Sequence, residues 1–248
     1  ALRAEQRGIV GPGRIESRKA GRPGNVVYHH LSAQSNLRPP PIMTVSASLL
    51  RLFALCGLLA ACTRSAETRL VPTELRYVSR AEWGAKPPVL PMRPHVPTRV
   101  TIHHTGVAQD PSKTIVQKLR GLQLFSQRDD SLASGRKKPA WADVPYHFYV
   151  AYDGSVGEAR DWNYAGDTNT TYDPAGHLLI VVEGNFQRDT LSSAQRRTLD
   201  VLVPAMARRF KVPPERLASH RDFAETSCPG ANIYALLPHY RSLIAAAR

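Results

Sequence analysis

Histidine and cysteine side chains in this chain have the composition of a zinc site. The segment HRDFAETSCPG places His220 eight residues before Cys228, and His103 lies far upstream in the segment RVTIHHTG. A hydrolytic zinc site takes about three protein ligands of these types and keeps one position open for water. His104 directly follows His103, and neighbouring residues on a strand point to opposite faces, so at most one of the two is expected to bind metal.

Two other interpretations of these residues stay open at this level. Histidines in strands are commonly hydrogen-bonded structural residues, and a lone cysteine is commonly a buried, inert side chain. Alternatively, Cys228 is the nucleophile of a hydrolase, with His220 or His103 as its base. Pro229 and Gly230 directly follow the cysteine and disfavour this second alternative, because a nucleophilic cysteine commonly sits at a helix N-terminus.

The strands that would position these residues are short and rich in β-branched residues. One of them, HLLIVVEGNF, is continuously apolar and is predicted to be central in the sheet. Another segment contains Asp153-Gly154 between two extended runs, which predicts a hairpin. The predicted strand segments are RVTIHHTG (99–106), VPYHFYVAYDGSVGEAR (144–160), HLLIVVEGNF (177–186) and RLASH (216–220).

Helical periodicity alternates with these strands. Residues 110–127 have apolar side chains at helical spacing, with Asp110 as the predicted N-cap and Pro111 at the first helical position. Residues 192–210 open with a capping-box pattern at Ser192, and the C-terminal segment also has a helical pattern. This order of elements predicts a single α/β domain with a mixed central β-sheet flanked by helices.

The N-terminal third of the chain is not expected to belong to that domain. Residues 1–42 are rich in Gly, Pro and Arg and lack any sustained period, so they are predicted to be disordered or untranslated. An internal methionine then opens MTVSASLLRLFALCGLLAAC, which has the layout of a secretory signal. Its end resembles a bacterial lipobox, in which Cys62 becomes the lipidated first residue. The predicted organisation is a leader at 1–42, a lipoprotein signal peptide at 43–61, a linker at 62–76 and the folded domain at 77–248.

Export would leave the folded domain with one thiol. The chain has three cysteines, of which Cys56 lies in the predicted signal and Cys62 would carry lipid, so Cys228 has no partner for an internal disulfide. A lipid on a folded domain anchors the protein to a membrane without spanning it. Because Thr63 rather than aspartate follows Cys62, the Gram-negative sorting pattern predicts a periplasm-facing lipoprotein of the outer membrane.

The chain is strongly basic, with a formal net charge of +13, and seven of its Lys and Arg residues lie in residues 1–42. The positive charge that remains suits a polyanionic neighbourhood, such as cell-wall polymer or anionic lipid headgroups. No dense basic run with interleaved aromatic residues is present, so nucleic acid is not expected as a partner. We expect a monomer.

Several segments occur in the order found in the family of peptidoglycan recognition proteins and type 2 N-acetylmuramoyl-L-alanine amidases. The resemblance extends from about Ser79 to the C-terminus and therefore covers most of the predicted mature chain. It implies the zinc-dependent amidase fold of that family. The matching segments are SRAEWGA, IHHTG, VPYHFYVAYDGSVGEARDWNYAG, EGNF and HRDFAETSCPG.

The resemblance also implies roles for particular residues. In the family, the first histidine of the His-His pair, the histidine that opens His-Arg-Asp and the cysteine eight positions later bind Zn²⁺; here they are His103, His220 and Cys228. A tyrosine marks the catalytic members and is present as Tyr146. Catalytic recognition proteins have threonine two positions before the cysteine, here Thr226. Both hydroxyls are therefore expected to act in catalysis.

The family resemblance and strand parity also lead to expectations for four further residues. Trp162 and Asn163 resemble a family segment that lines the peptide groove, with core packing as the alternative for Trp162. More distant cytoplasmic amidases use a glutamate that aligns with Val181, so Glu183 is interpreted as structural, with catalysis as the alternative. His147 is interpreted as a packed residue because its strand parity opposes that of Tyr146.

The activity that the resemblance implies is hydrolysis of the amide between N-acetylmuramic acid and L-alanine in peptidoglycan or its muropeptide fragments. A muropeptide-binding module without catalysis is the alternative, although such proteins usually lack the cysteine or the tyrosine. The family often has Ala-His after the glycine that corresponds to Gly166, and Asp167 stands there in this chain. One edge of the substrate groove is therefore expected to differ.

Overall fold

The computed structural model describes residues 70–132 and 135–247. The predicted leader, the signal peptide and the lipidated Cys62 lie outside the described residues, so those expectations stay predictions. Within the described residues, no helix is both long enough and apolar enough to cross a membrane.

A six-stranded mixed sheet forms the centre of the domain, with the strand order β1-β6-β5-β7-β2-β8. Strands β5 and β6 pair antiparallel as the predicted hairpin, and the other neighbours pair parallel. A separate two-stranded antiparallel sheet joins β3 to β4. The strands are β1 (Tyr77–Val78), β2 (Arg99–His104), β3 (Asp130–Ser131), β4 (Lys137–Lys138), β5 (Phe148–Val150), β6 (Val156–Glu158), β7 (His177–Val182) and β8 (Leu217–Ser219).

The register of the parallel strands brings the candidate histidines together. All six residues of β7 are buried, as expected of a continuous apolar strand covered on both faces. In β2, His103 pairs with Val181 of β7, and Ile102 pairs with Ser219, the last residue of β8. His220 directly follows β8. Both histidines therefore lie at the carboxyl edge of the sheet, where ligand sites of parallel sheets commonly form.

In the described part of the chain, five α-helices flank the sheet, and their caps agree only in part with the sequence prediction. Helix α2 begins at Ile115, not near Asp110, because Thr114 and Gln117 form a reciprocal capping box that satisfies the first backbone N–H groups. Asp110 instead accepts a hydrogen bond from Ser112 N in the preceding turn. The capping box at Ser192 is confirmed. The helices are α1 (Arg80–Trp83), α2 (Ile115–Ser126), α3 (Ser193–Arg209), α4 (Ala231–Tyr234) and α5 (Leu237–Ala246).

The two faces of the sheet bury separate apolar clusters. One face packs against α3 and α5, which contribute residues such as Leu202 and Tyr240. The other face packs against α1 and α2, where Trp83 is fully buried and its indole N–H donates to Glu158 O at 2.6 Å. Helices on both sides of a mixed sheet confirm the predicted α/β fold, and they leave the carboxyl edge of the parallel strands free for a site.

Candidate metal centre

Three potential ligands from distant parts of the sequence meet at the carboxyl edge of the sheet. One ligand atom from each of His103, His220 and Cys228 lies within 4.8 Å of the other two. The Nδ1 atom of His103 is 3.6 Å from Cys228 Sγ, and the two imidazole rings are 4.7 Å apart between centroids. His103 and Cys228 are buried, and His220 is half-buried.

These donors fit a zinc ion. Bonds of about 2.0–2.1 Å to histidine nitrogen and about 2.3 Å to cysteine sulfur place tetrahedral donors roughly 3.3–3.8 Å apart. The 3.6 Å separation between His103 Nδ1 and Cys228 Sγ falls in that range. Histidine and cysteine are zinc ligands, and three protein ligands with one position left open are typical of catalytic zinc sites. The cluster therefore has the ligand chemistry to hold Zn²⁺, and its three ligand atoms lie within 4.8 Å of one another.

Backbone hydrogen bonds hold Cys228 in this position. Its Sγ accepts a hydrogen bond from His104 N at 3.3 Å, which suits a sulfur that carries negative charge when it binds metal. The hydroxyl of Thr226 accepts from Cys228 N at 3.2 Å, and Arg221 N donates to Cys228 O at 3.0 Å. The loop that follows β8 is thereby folded back so that the thiol faces the end of β2.

His104 lies on the opposite side of the strand from this cluster. Its Nδ1 accepts a hydrogen bond from Phe186 N at 3.2 Å, and its ring lies near the Phe186 ring. The expectation that at most one member of the His-His pair faces a metal is consistent with this arrangement, and the geometry selects His103.

Burial controls the protonation of the three ligand residues. Desolvation, reinforced by neighbouring histidines, lowers the pKa of His103 well below its ordinary value and lowers the pKa of His220 to about 4. Desolvation raises the pKa of the Cys228 thiol to about 12. The histidines are therefore neutral at pH 7 and ready to bind metal, whereas the thiol loses its proton only when a cation compensates the charge.

Tyr146 lies beside this cluster. Its ring centroid is 5.1 Å from that of His103, and burial raises the pKa of its phenol above its ordinary value. The hydroxyl is therefore protonated and able to donate a hydrogen bond throughout the physiological range. Tyr146 and Thr226 both line the groove next to the cluster.

That groove has a volume of about 990 Å³ and combines aromatic, charged and small side chains. This volume lies at the upper end of the range of pockets that bury a drug-sized ligand. Helix α2 forms one wall with Gln117, Leu122 and Phe125, and the segment before β5 contributes Trp141 and Pro145. The groove therefore leads from aromatic side chains to the hydroxyls beside the candidate ligands.

Comparison with known proteins identifies the family to which this site belongs. A family model described as N-acetylmuramoyl-L-alanine amidase matches residues 93–231, more than half of the chain. The chain belongs to this family. The matched segment includes both candidate ligand histidines, Cys228 and Tyr146.

The similar proteins and solved structures include peptidoglycan recognition proteins and an amidase. Mouse peptidoglycan recognition protein 1 is 31% identical over 197 residues, which cover 77% of this chain and 96% of that protein. A human protein named N-acetylmuramoyl-L-alanine amidase is 28% identical over 66% of this chain and 29% of its own length. The crystal structure of Drosophila peptidoglycan recognition protein SD superposes with a TM-score of 0.54 at 28% identity, covering 66% of this chain and 94% of that one.

Two residues that the family resemblance assigned to the substrate groove have contacts outside the groove described above in this amidase-family domain. The Trp162 ring packs edge-on against Phe210 at 5.1 Å between centroids, and it borders the apolar cluster under α3. The Asn163 side chain is exposed and donates to Asp161 at 2.8 Å. Neither residue is among those that line the groove. For Trp162, the geometry favours the core-packing alternative.

Glu183 is a buried hub of hydrogen bonds in this member of the amidase family. Its carboxylate accepts from Asp110 N at 2.9 Å, from Tyr152 N at 2.8 Å and from Lys118 Nζ at 2.7 Å. These bonds tie two loops and helix α2 to the residue that directly follows β7. The carboxylate already has three donors, which favours the structural interpretation over a role as general base.

His147 has a structural environment in this domain. Its Nδ1 accepts from Leu179 N at 2.8 Å, and its Nε2 contacts Tyr164 O at 2.9 Å. Both ring nitrogens are thus engaged by the backbone. The packed role expected from strand parity agrees with these contacts.

The ion pair between Lys118 and Glu183 is expected to stabilise the amidase-family domain strongly. The two side chains are only 8% and 3% exposed, so Lys118→Met would leave a buried carboxylate without its cation. We expect a loss of about 3–5 kcal/mol in the free energy of unfolding, measured by denaturant titration. Lys113→Met is the matched control, because Lys113 pairs with Asp110 on the surface and its loss should change stability little. Equal stability of the two variants would contradict the structural role of Glu183.

Proposed function

We propose that this protein is a zinc-dependent amidase that cleaves the bond between N-acetylmuramic acid and L-alanine of the peptidoglycan stem peptide. The observation that carries the proposal is the convergence of His103, His220 and Cys228 beside Tyr146, which lines the adjacent groove. The human amidase relative has the proposed activity in its name. A complex of peptidoglycan recognition proteins LCa and LCx, 26% identical with a TM-score of 0.54, was solved with tracheal cytotoxin bound.

His103, His220 and Cys228 would hold the zinc ion. Bound there, zinc supplies Lewis acidity and makes a nucleophile available at neutral pH. The two histidines are neutral because burial lowers each pKa, so neither loses affinity through protonation near pH 7. Cys228 contributes the charge that partly compensates the cation, and His104 N stabilises that charge by donating to its sulfur.

Two hydroxyls are placed to stabilise negative charge that develops on the scissile carbonyl oxygen. Tyr146 keeps its proton because burial raises its pKa, and this residue lines the groove with its ring beside that of His103. Thr226 accepts a hydrogen bond from Cys228 N through its oxygen, which leaves its own proton available for substrate. Donors that are fixed in advance at an oxyanion contribute strongly to amide hydrolysis.

A cysteine hydrolase is disfavoured by the environment of Cys228. A nucleophilic thiol needs an exposed, electropositive site that lowers its pKa, whereas Cys228 is 7% exposed and burial raises its pKa to about 12. The nearby histidines are held neutral by burial and supply no positive charge to the thiol. A muropeptide-binding module without catalysis is the second candidate, since several relatives are named as recognition proteins.

Product analysis distinguishes the amidase from the binding module. The purified protein is incubated with muropeptides, and free stem peptide beginning with L-alanine is sought by mass spectrometry. We expect one molecule of free stem peptide for each molecule of glycan product, and the glycan itself should stay intact. Binding of muropeptide by zinc-loaded protein without any release would instead identify the binding module.

A further inference from the structure

We propose that the loop of residues 166–176, between β6 and β7, positions both candidate ligand histidines through the hydroxyls of Thr170 and Tyr172. This inference rests on the proposed zinc site and adds the groups that orient its histidines. Neither hydroxyl belongs to the ligand set or lines the groove. Both are therefore positioning residues and not catalytic ones.

Thr170 contacts Nε2 of His220, the ring nitrogen that is available for a hydrogen bond when Nδ1 binds metal. Its Oγ1 lies 2.9 Å from His220 Nε2 and 2.7 Å from Thr168 Oγ1. With Nδ1 of His220 directed to the metal, Nε2 carries the proton and donates to Thr170, whose own hydroxyl donates to Thr168. Hydrogen bonds of this kind fix the tautomer and the orientation of a ligand imidazole.

Tyr172 makes the corresponding contact with the other histidine. Its hydroxyl lies 3.5 Å from His103 Nε2, while His103 Nδ1 faces Cys228 Sγ. The ring of Tyr172 also lies 5.1 Å from the His220 ring and 5.9 Å from Phe223, between centroids. Tyr172 therefore touches both candidate ligands, and its contact with His103 is the longer and weaker of the two hydroxyl contacts.

The loop is fixed at both ends, which allows it to hold the histidines in place. At its start, Asp167 forms an ion pair with the buried guanidinium of Arg160. At its end, Gly176 O accepts hydrogen bonds from Thr98 N at 2.8 Å and Arg99 N at 3.1 Å. Asp167 stands where the family that this chain resembles often has Ala-His, and in this chain it supplies the ion pair at the start of the loop.

Zinc affinity tests this proposal without any substrate. Thr170→Val keeps the shape of the side chain and removes the hydroxyl, and we expect it to weaken zinc binding by about 10–100-fold in competition with a chromophoric chelator. Thr170→Ser restores the hydroxyl and should bind zinc within about threefold of the wild type. Tyr172→Phe should weaken binding less than Thr170→Val, because its contact is longer.

Matched controls separate this role from a general effect on folding. Thr171→Val makes the same substitution at an exposed neighbour and should leave zinc affinity unchanged. Thermal unfolding of the metal-free proteins should be the same for Thr170→Val and Thr171→Val. With Co²⁺ in place of zinc, Thr170→Val should alter the visible d–d bands, which report ligand geometry.

The outcomes distinguish this proposal from the proposed function. Wild-type zinc affinity in Thr170→Val would overturn the positioning role and leave the zinc site intact. Absence of zinc binding by the wild-type protein would overturn both. Weakened binding with rescue by serine supports the positioning role even in a protein that releases no stem peptide.

Discussion

Cys228→Ser is expected to lose zinc and, with it, all release of stem peptide. The substitution replaces the thiolate ligand by a hydroxyl, which is a poor zinc donor at neutral pH. Because loss of a group that merely contacts a ligand already weakens metal binding 10–100-fold, we expect loss of the sulfur to weaken it by more than about 100-fold. The measurement is the metal content after dialysis, with product release measured on the same sample.

The serine variant should keep its fold without metal. Serine Oγ can still accept the hydrogen bond that His104 N donates to Cys228 Sγ, so the loop after β8 retains its anchor. Ser227→Ala, at the exposed neighbouring residue, is the matched control and should retain zinc. A Cys228→Ser protein that holds a full equivalent of zinc but has no activity would support the cysteine nucleophile and contradict the ligand role.

Tyr146→Phe is expected to lose catalysis while it retains zinc. The phenol is the protonated donor beside the candidate ligands, and removal of one oxyanion donor typically lowers kcat by about 10²–10³-fold. The ring remains in place, so KM for muropeptide should change little, because the lost interaction forms mainly in the transition state. Steady-state kinetics on zinc-loaded protein measure both constants.

Tyr149→Phe provides the comparison for this prediction. Tyr149 also lines the groove and is buried, but the charged group that influences its phenol is Glu183 and not a candidate ligand. We expect its kcat to stay near that of the wild type. Wild-type kcat in Tyr146→Phe would remove this tyrosine from the mechanism, and loss of zinc in that variant would assign it to the metal site instead.

The fold could be predicted from the sequence where periodicity and capping signals agree. The apolar run of β7, the hairpin at Asp153-Gly154 and the capping box at Ser192 each indicate the element that the structure contains. The prediction of Asp110 as the N-cap of α2 is wrong, although Thr114 and Gln117 have the same capping-box spacing that marks the start of α3 at Ser192. The reciprocal bonds with Gln117 decide in favour of Thr114, so the capping-box pattern is the better guide to this helix start than Asp110 followed by proline.

The candidate site could be predicted only in its main residues. His103, His220 and Cys228 are residue types with recognisable chemistry, and family motifs mark their positions. Thr170 and Tyr172 lie in a loop without periodicity, and their contacts with the histidines arise from the path of the chain between β6 and β7. Threonine and tyrosine are common in loops, so nothing in the local sequence distinguishes these two hydroxyls.

The location of Trp162 also could not be predicted from the sequence. A tryptophan in a groove-lining motif and a tryptophan in a core have the same sequence signature. Here the end of α3 brings Phe210 against the indole, and this long-range contact places the ring at the apolar cluster. Such contacts depend on how the helices pack on the sheet, which local patterns do not specify.

Metal titration of the stripped protein tests the zinc amidase most directly. The protein is treated with a chelator until no zinc is detectable, zinc is added back in fractions of an equivalent, and stem peptide beginning with L-alanine is measured at each step. We predict no release without metal, a linear rise in release up to one equivalent of zinc and a plateau beyond it. Release of that peptide at the full rate from protein without detectable metal would contradict the account.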